Sequence, residues 1–478
     1  MAESLKKQTL KGTIWSAIDS FSSQGIQFVI TLVMARILTP ADYGVVGMIY
    51  IFLGVCNVFI VSGFSQALVR KRDRTDVDNC TVFYFNIVVA TLLYVALFFS
   101  APLIARFYDM PILIPITRVV SLGMIFGSFN VVQRAQFTIK IDFKTTAKIA
   151  LISVILSGTL GIIFAYMNFG VWAIVIQNIT GGFIGTILLW TWSKWRPKWM
   201  FSWKSFREMF GFGSKLLASS LLDTIYGNMY SLIIGKVYKA SDLGFYNRAK
   251  GFSQLSSVNL TNIIQRVTFP VLCKVQNEDD RLREGYRRLL RVTAFIIFPI
   301  MIGLGAVGKP LILTLLTEKW LYSSVLLVPV CFSGMWYPVH AINLNLLQVK
   351  GRSDLFLRLE IIKKILGVLV LVITIPMGLY AMCWGSVCTS IIALVINTHY
   401  TGKLLNLGFI VQMKDLLPIF LLSLSMGAVV WLTIHFLQFP NPALLTIGIL
   451  IGTMFYIGVA KLIRFREFKE ITQLLRRS

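Results

Sequence analysis

Charge is what this sequence is short of. Only 14% of its 478 residues are Asp, Glu, Lys or Arg, against about 25% in an ordinary soluble domain. Acids are the scarcer half, 21 against 46 bases. A chain this long and this poor in charge cannot solvate its own surface in water, which excludes a soluble protein. Long polar loops are also missing, and with them any domain that could hold ATP. No G-x-S-x-G, H-E-x-x-H or Walker-type loop occurs. No paired acidic motif sits in a long external loop, so glycosyl transfer within the chain has no machinery, and an enzyme is not expected. Cysteine is sparse as well: Cys56, Cys80, Cys273, Cys331, Cys383 and Cys388 lie in or beside apolar segments without zinc-ligand spacing. They read as reduced packing residues, and no metal or cofactor is expected.

What is present is apolar surface. Apolar residues make up 56% of the chain and mean hydropathy is +0.74. Runs of roughly 20 apolar residues span a bilayer as helices, and these runs predict an all-α integral membrane protein with about fourteen spans. Four of the fourteen, at 12–36, 213–235, 245–269 and 357–376, matter below; 213–235 and 245–269 are unusually polar. No small-residue cleavage site follows the first run, so it is expected to stay as a helix.

The formal net charge of +25 could suggest nucleic acid. The basic residues, however, fall between apolar runs and not along one surface helix. Taking the N-terminus as cytoplasmic and alternating sides puts most of the 46 bases on the cytoplasmic side. By contrast the turns Met167-Asn168-Phe169 and Pro376-Met377-Gly378 have none. This is the positive-inside pattern. It predicts a multi-pass membrane protein with both termini cytoplasmic, and it excludes a nucleic-acid partner.

The chain repeats itself. Leu32 to Gly44 reads LVMARILTPADYG, and two hundred residues on, Leu232 to Gly244 reads LIIGKVYKASDLG. Gln136-x3-Lys140-x-Asp142-Phe143 matches Gln348-x3-Arg352-x-Asp354-Leu355. Phe169-Gly170-Val171-Trp172-Ala173 matches Met377-Gly378-Leu379-Tyr380-Ala381. The order is kept and the offset nearly constant, and each pair falls on one side of the membrane, as in parallel transporter repeats.

This layout, with the ARILTPADYGVVGM turn and the FGVWAIV opening, resembles the Wzx-type polysaccharide flippases. These belong to the multidrug/oligosaccharidyl-lipid/polysaccharide exporter superfamily, and the likeness is to the colanic-acid and teichuronic-acid exporter branch. The expected organisation is a cytoplasmic segment 1–11, a six-span lobe 12–192, a linker 193–212, a second six-span lobe 213–400, two further spans within 401–463 and a cytoplasmic tail 464–478. The resemblance implies alternating access around a central cavity. It also implies an undecaprenyl-pyrophosphate-linked oligosaccharide as cargo, and beyond the bilayer itself a polysaccharide polymerase or export machinery as partner.

Polar residues within spans mark candidates for contact with cargo or ions. Ser16, Ser20, Ser23 and Gln27 form one stripe beside Asp19; Ser219, Asp223, Tyr226 and Tyr230 form its counterpart. The serines equally suit helix–helix hydrogen bonding. Asp19 and Asp223 are the candidates for coupling to a proton or sodium ion. In 245–269, Arg248, Asn259, Asn262 and Arg266 share a helical stripe. Guanidinium forks match phosphate oxygens, so Arg266, Arg248 and Arg118 are the pyrophosphate candidates, with Asn259 and Asn262 beside them. Arg36 and Lys236 fit snorkelling end-caps. Trp336 and His340 share a face where sugars could stack, although a packing histidine fits as well. The rival cargo is a cationic drug carried by an ion-coupled exporter of the same superfamily. It calls for an acidic cavity, and Arg and Lys outnumber Asp in these spans.

Overall fold

The computed structural model describes residues 22–477 apart from positions 62, 63, 72 and 141. Its elements are helical, and no strand occurs among the described residues. The first helix, α1, covers 22–37 as described. There follow α2 (Pro40–Val61), α3 (Phe64–Arg70), α4 (Asp76–Tyr108), α5 (Leu113–Val120), α6 (Leu122–Ile139), α7 (Phe143–Tyr166), α8 (Val171–Trp192), α9 (Trp203–Val237) and α10 (Ala240–Lys274). The remainder are α11 (Asp279–Ala306), α12 (Gly308–Leu315), α13 (Leu321–Gly334), α14 (Tyr337–Val349), α15 (Ser353–Thr374), α16 (Leu379–Leu405), α17 (Phe409–Phe436), α18 (Asn441–Leu462) and α19 (Arg466–Arg477).

Among the described residues, ten helical segments are long and apolar enough to cross a membrane. The other four expected spans fall on α1, α9, α10 and α15. The first begins outside the described residues; α9 and α10 are rich in polar side chains. α15 carries Arg358, Glu360, Lys363 and Lys364 in its first half. The lipid-facing surface is evident on α4, where Leu92, Phe99 and Leu103 are each more than 60% exposed. Apolar exposure on this scale is stable only when hydrocarbon covers it.

Local sequence explains where the helices begin and end. Thr75 and Asp78 form a capping box at the start of α4, and Asp109 ends it in the left-handed region at φ 56°. Asp142 and Ser202 accept backbone N–H groups at the starts of α7 and α9. These contacts satisfy donors that a helix start leaves orphaned. The fourth span of each repeat is interrupted by a short turn that keeps near-helical angles: α5 gives way to α6 at Ser121, and α13 to α14 at Met335-Trp336.

The helices sort into two compact units, Met1–Gly244 and Phe245–Ser478. Within the first, α7 packs along α8, α6 against both α4 and α8, and α9 along α2. Within the second, α11 packs along α17, α15 along α16, and α13 against α11 and α16. Small residues allow these approaches, as is usual inside membranes. A Cβ on Gly161 would lie 2.9 Å from the Gln177 side chain, and one on Gly158 would overlap Ile30. All six cysteines are free thiols.

Candidate functional site

The repeated Asp-x-Gly turns resolve into two jobs. Asp42 accepts from the Thr39 N–H at 2.9 Å and the Thr39 hydroxyl at 2.7 Å, capping α2. Asp242 accepts from the Lys239 N–H at 3.2 Å and does the same for α10. The glycines allow the two turns to cross. A Cβ on Gly44 would lie 1.7 Å from the Ala240 carbonyl oxygen, and one on Gly244 1.9 Å from the Pro40 oxygen. Both contacts lie within the first unit and are reciprocal, at the helix ends that the loop charges assign to the outside. Gly170 opens α8 at φ 55°, with Asp42 beside it, and Gly378 opens α16 at φ 100°. The repeated motif at Phe169 and Met377 is therefore a glycine start for a helix.

The intramembrane cations rest on aromatic faces. Arg118, on α5 just before the break at Ser121, lies 4.2 Å from the Phe98 ring centroid and donates to the Phe98 carbonyl at 3.3 Å. No carboxylate pairs with it among the described residues. Arg248 lies 5.0 Å from the Trp320 centroid. Such contacts keep a guanidinium's charge, because the ring offers only its quadrupole. Lys236, by contrast, pairs with Asp109 at 3.0 Å over Phe107, as an end-cap would.

α10 holds the expected stripe on one continuous helix. Its buried face is Ser253, Ser257 and Thr261, with Ser253 set against Gly334 and the Val330 carbonyl. The stripe lies on the other side: Arg248 and Asn259 are half-buried and Asn262 is exposed. Arg266 sits on the same helix, its side chain outside the described residues, as Asp19 is altogether. Asp223 is an exposed residue of α9.

Trp336 and His340 belong to the interior of the second unit. Trp336 is buried, its ring 5.2 Å from Phe298 and 6.2 Å from Phe420 by centroids. The Asn397 amide approaches His340 Nδ1 at 3.2 Å, and His340 Nε2 lies 2.9 Å from the Ser390 hydroxyl. An amide N–H can only donate, so Nδ1 accepts and the ring proton belongs on Nε2. One turn further, Asn343, Thr401 and Gln412 form a buried amide and hydroxyl network. The expected sugar platform is thus a packed aromatic cluster beside a satisfied histidine.

A feature the sequence did not single out lies inside the first unit. A chamber of about 500 Å³ opens between α1, α6, α7 and α8. Gln27, Ser153, Ser157, Gln177 and Asn178 line it, with Arg134 and Thr138 exposed at one end and Gly181, Gly182 and Gly185 along α8. No acidic side chain lines it among the described residues. Gly181 and Gly185 set α8 against the Ser157 and Ser153 hydroxyls, where a Cβ would sit 3.2 and 3.4 Å away. The Asn178 amide donates to the Tyr50 hydroxyl at 3.1 Å. From Phe143 to Ser157 the lining runs roughly 20 Å along α7, at the helical rise per residue.

Ten helical segments long and apolar enough to cross a membrane, with crossing repeat turns and interior polar groups, fit a multi-pass membrane transport protein. Comparison with solved structures agrees on the fold. A lipid II flippase, MurJ, in an inward closed conformation superposes with a TM-score of 0.74 at 17% identity, covering 94% of this chain and 98% of that one. An inward-facing multidrug resistance MATE family transporter superposes at 0.62 and 15% identity, over 80% and 95%. The family described as polysaccharide biosynthesis protein matches residues 33–325, and this chain belongs to it. Among its relatives, the teichuronic acid biosynthesis protein TuaB of Bacillus subtilis is 26% identical over 429 residues, 89% of each chain. The lipopolysaccharide biosynthesis protein WzxC of Escherichia coli is 25% identical, over 83% of this chain and 80% of its own.

Proposed function

We propose that this protein flips an undecaprenyl-pyrophosphate-linked oligosaccharide repeat unit from the cytoplasmic to the outer leaflet of a bacterial inner membrane. The observation that carries the reading is where the family match falls. Within residues 33–325 the described elements are helices with short connections, most of them long and apolar enough to cross a membrane, so the role in polysaccharide synthesis belongs to the helical body. A body of this kind moves cargo across; it has no appended domain within those residues to modify it. Alternating access is the cycle expected of a transporter built from two parallel repeats. Arg118, Arg248 and Arg266 would meet the pyrophosphate, whose charge a low-dielectric site must balance. Asp19 and Asp223 would couple the cycle to proton or sodium entry. Release on the outer side would hand the unit to a polymerase or export machinery.

The rival cargo, a cationic drug, requires carboxylates at its site. The chamber of the first unit offers none among its described lining residues, and Arg118 lies over the Phe98 ring with no carboxylate paired to it among the described residues. Both favour an anionic or uncharged cargo. The test is a deletion strain. Lipid-linked oligosaccharide should accumulate, shielded from periodate added outside spheroplasts, and re-expression should restore access. An unchanged pool together with new sensitivity to cationic dyes would instead establish the drug exporter.

A further inference from the structure

We propose that the chamber between α1, α6, α7 and α8 is a saccharide-recognition subsite that takes the sugar portion of the cargo into the first unit. This rests on the reading of the cargo as a lipid-linked oligosaccharide. The chemistry of the lining is specific. Sugar hydroxyls donate and accept at once, and so do the amides of Gln27, Gln177 and Asn178 and the hydroxyls of Ser153 and Ser157. Ser153 lines the chamber and is 8% exposed, and its hydroxyl has no partner among the described residues. A buried hydroxyl left unpaired is costly, and a bound hydroxyl is the partner it lacks. The volume, about 500 Å³, lies within the range of about 300–1,000 Å³ typical of small-molecule sites.

The glycines shape the site. Gly181 and Gly185 leave room for the Ser157 and Ser153 hydroxyl oxygens, which a Cβ at either position would meet at 3.2 and 3.4 Å. Gly182 differs, since a Cβ there would meet nothing within 4 Å. It leaves the backbone of α8 open to a ligand, and a large side chain placed there would enter the chamber without disturbing the packing. An acyl chain would want the opposite lining. The groove between α11, α17 and α18 in the second unit, with Ile300, Leu304, Val430 and Ile449 on its walls, is of that apolar kind. A cation would want acids, and the described lining residues supply none.

The experiment uses full-length protein in nanodiscs and two probes: undecaprenyl pyrophosphate, and the lipid-linked oligosaccharide pool extracted from the deletion strain. Wild type should bind the sugar-bearing lipid at least tenfold tighter than the bare one. Gly182→Leu and Ser153→Val should bring that ratio to near one while leaving affinity for the bare lipid unchanged, and Gly123→Ala should keep the ratio. A wild type without the ratio, or variants that retain it, would overturn the subsite while leaving flipping intact. Loss of bare-lipid binding in both variants would also overturn it, since the effect would not be confined to sugar. A deletion strain with no such pool would instead sink the underlying reading of function.

Discussion

Asn343 and Gln412 exchange amide hydrogen bonds in both directions, each 3.0 Å long, across the buried junction of α14 and α17. Thr401, on α16, donates to the same Asn343 oxygen at 2.7 Å, and Gln412 also donates to the Leu407 carbonyl at 2.9 Å. Both amides are 1% exposed. Three helices of the second unit are thus joined by a polar knot inside an apolar bundle, where an abandoned partner has no water to turn to. Asn343→Leu strands Gln412 and Thr401, and Gln412→Leu strands Asn343 and the Leu407 carbonyl. Each should lower stability, by about 1–2 kcal/mol. The double variant should cost less than the sum of the two. Thermal unfolding of purified protein in detergent reads the three losses directly; additive effects would mean that the pair is not coupled.

The crossing at Gly44 and Gly244 predicts an intolerance to the smallest side chain. A carbon and a carbonyl oxygen that are not bonded sit about 3.3 Å apart, so a methyl group at Gly44 must drive the turns apart by roughly 1.5 Å. Gly44→Ala and Gly244→Ala should each cut export at least tenfold at normal membrane abundance. Gly123→Ala on α6, where a Cβ meets nothing within 4 Å, should be neutral. Surface polysaccharide quantified against immunoblotted protein distinguishes these. Full export by Gly44→Ala would show that the crossing is not a state the cycle needs.

Arg118 separates charge from packing. Its stacking on Phe98 is worth about 0.5–2 kcal/mol, so Arg118→Leu should unfold only slightly earlier than wild type. If its charge serves the pyrophosphate, the same variant should lose at least tenfold in flipping, with Arg118→Lys between the two. Wild-type flipping by Arg118→Leu would leave it a packing residue. Arg266→Ala, measured alongside, applies the same test to the stripe on α10.

Asp415 anchors the second unit's ionic cluster. It accepts both nitrogens of Arg287, at 2.7 and 2.6 Å, with Arg291 3.8 Å away. Arg291 then reaches Glu467 at 2.9 Å and Arg288 reaches Glu470 at 2.8 Å, which fastens α19 to α11. Asp415→Asn should cost about 1–3 kcal/mol, since it leaves Arg287 half-buried and unpaired. Glu467→Gln should instead release α19 alone, seen as faster hydrogen exchange over 466–477 with an unchanged unfolding midpoint.

The helices, the repeat and the family were legible because each leaves a periodic or compositional trace. Asp42 and Asp242 announced a turn, and Asn343 could be placed beside His340 on one helical face. The rest was hidden for physical reasons. The break between α5 and α6 carries no proline; Ser121 keeps near-helical angles and its N–H still reaches the Thr117 carbonyl at 3.1 Å. The chamber was missed because Ser153, Ser157 and Gln177 look like ordinary interhelical glue when read singly, while attention goes to charges. Only their register with Gly181 and Gly185 on the neighbouring helix reveals a space, and that register belongs to packing. His340 shows the converse case. Its sequence setting suited a sugar contact, but Ser390 and Asn397, fifty and more residues on, occupy both ring nitrogens.

The two Asp-x-Gly turns began as copies of one pattern, yet neither can now change alone. A side chain gained at position 44 collides with the backbone of the other copy, and one gained at 244 collides with the backbone of the first. Backbone cannot be mutated away, so no substitution on the opposite turn can relieve the clash. Divergence between the halves is therefore blocked at this pair, which should be among the last traces of the repeat to vanish as sequences in this family drift apart.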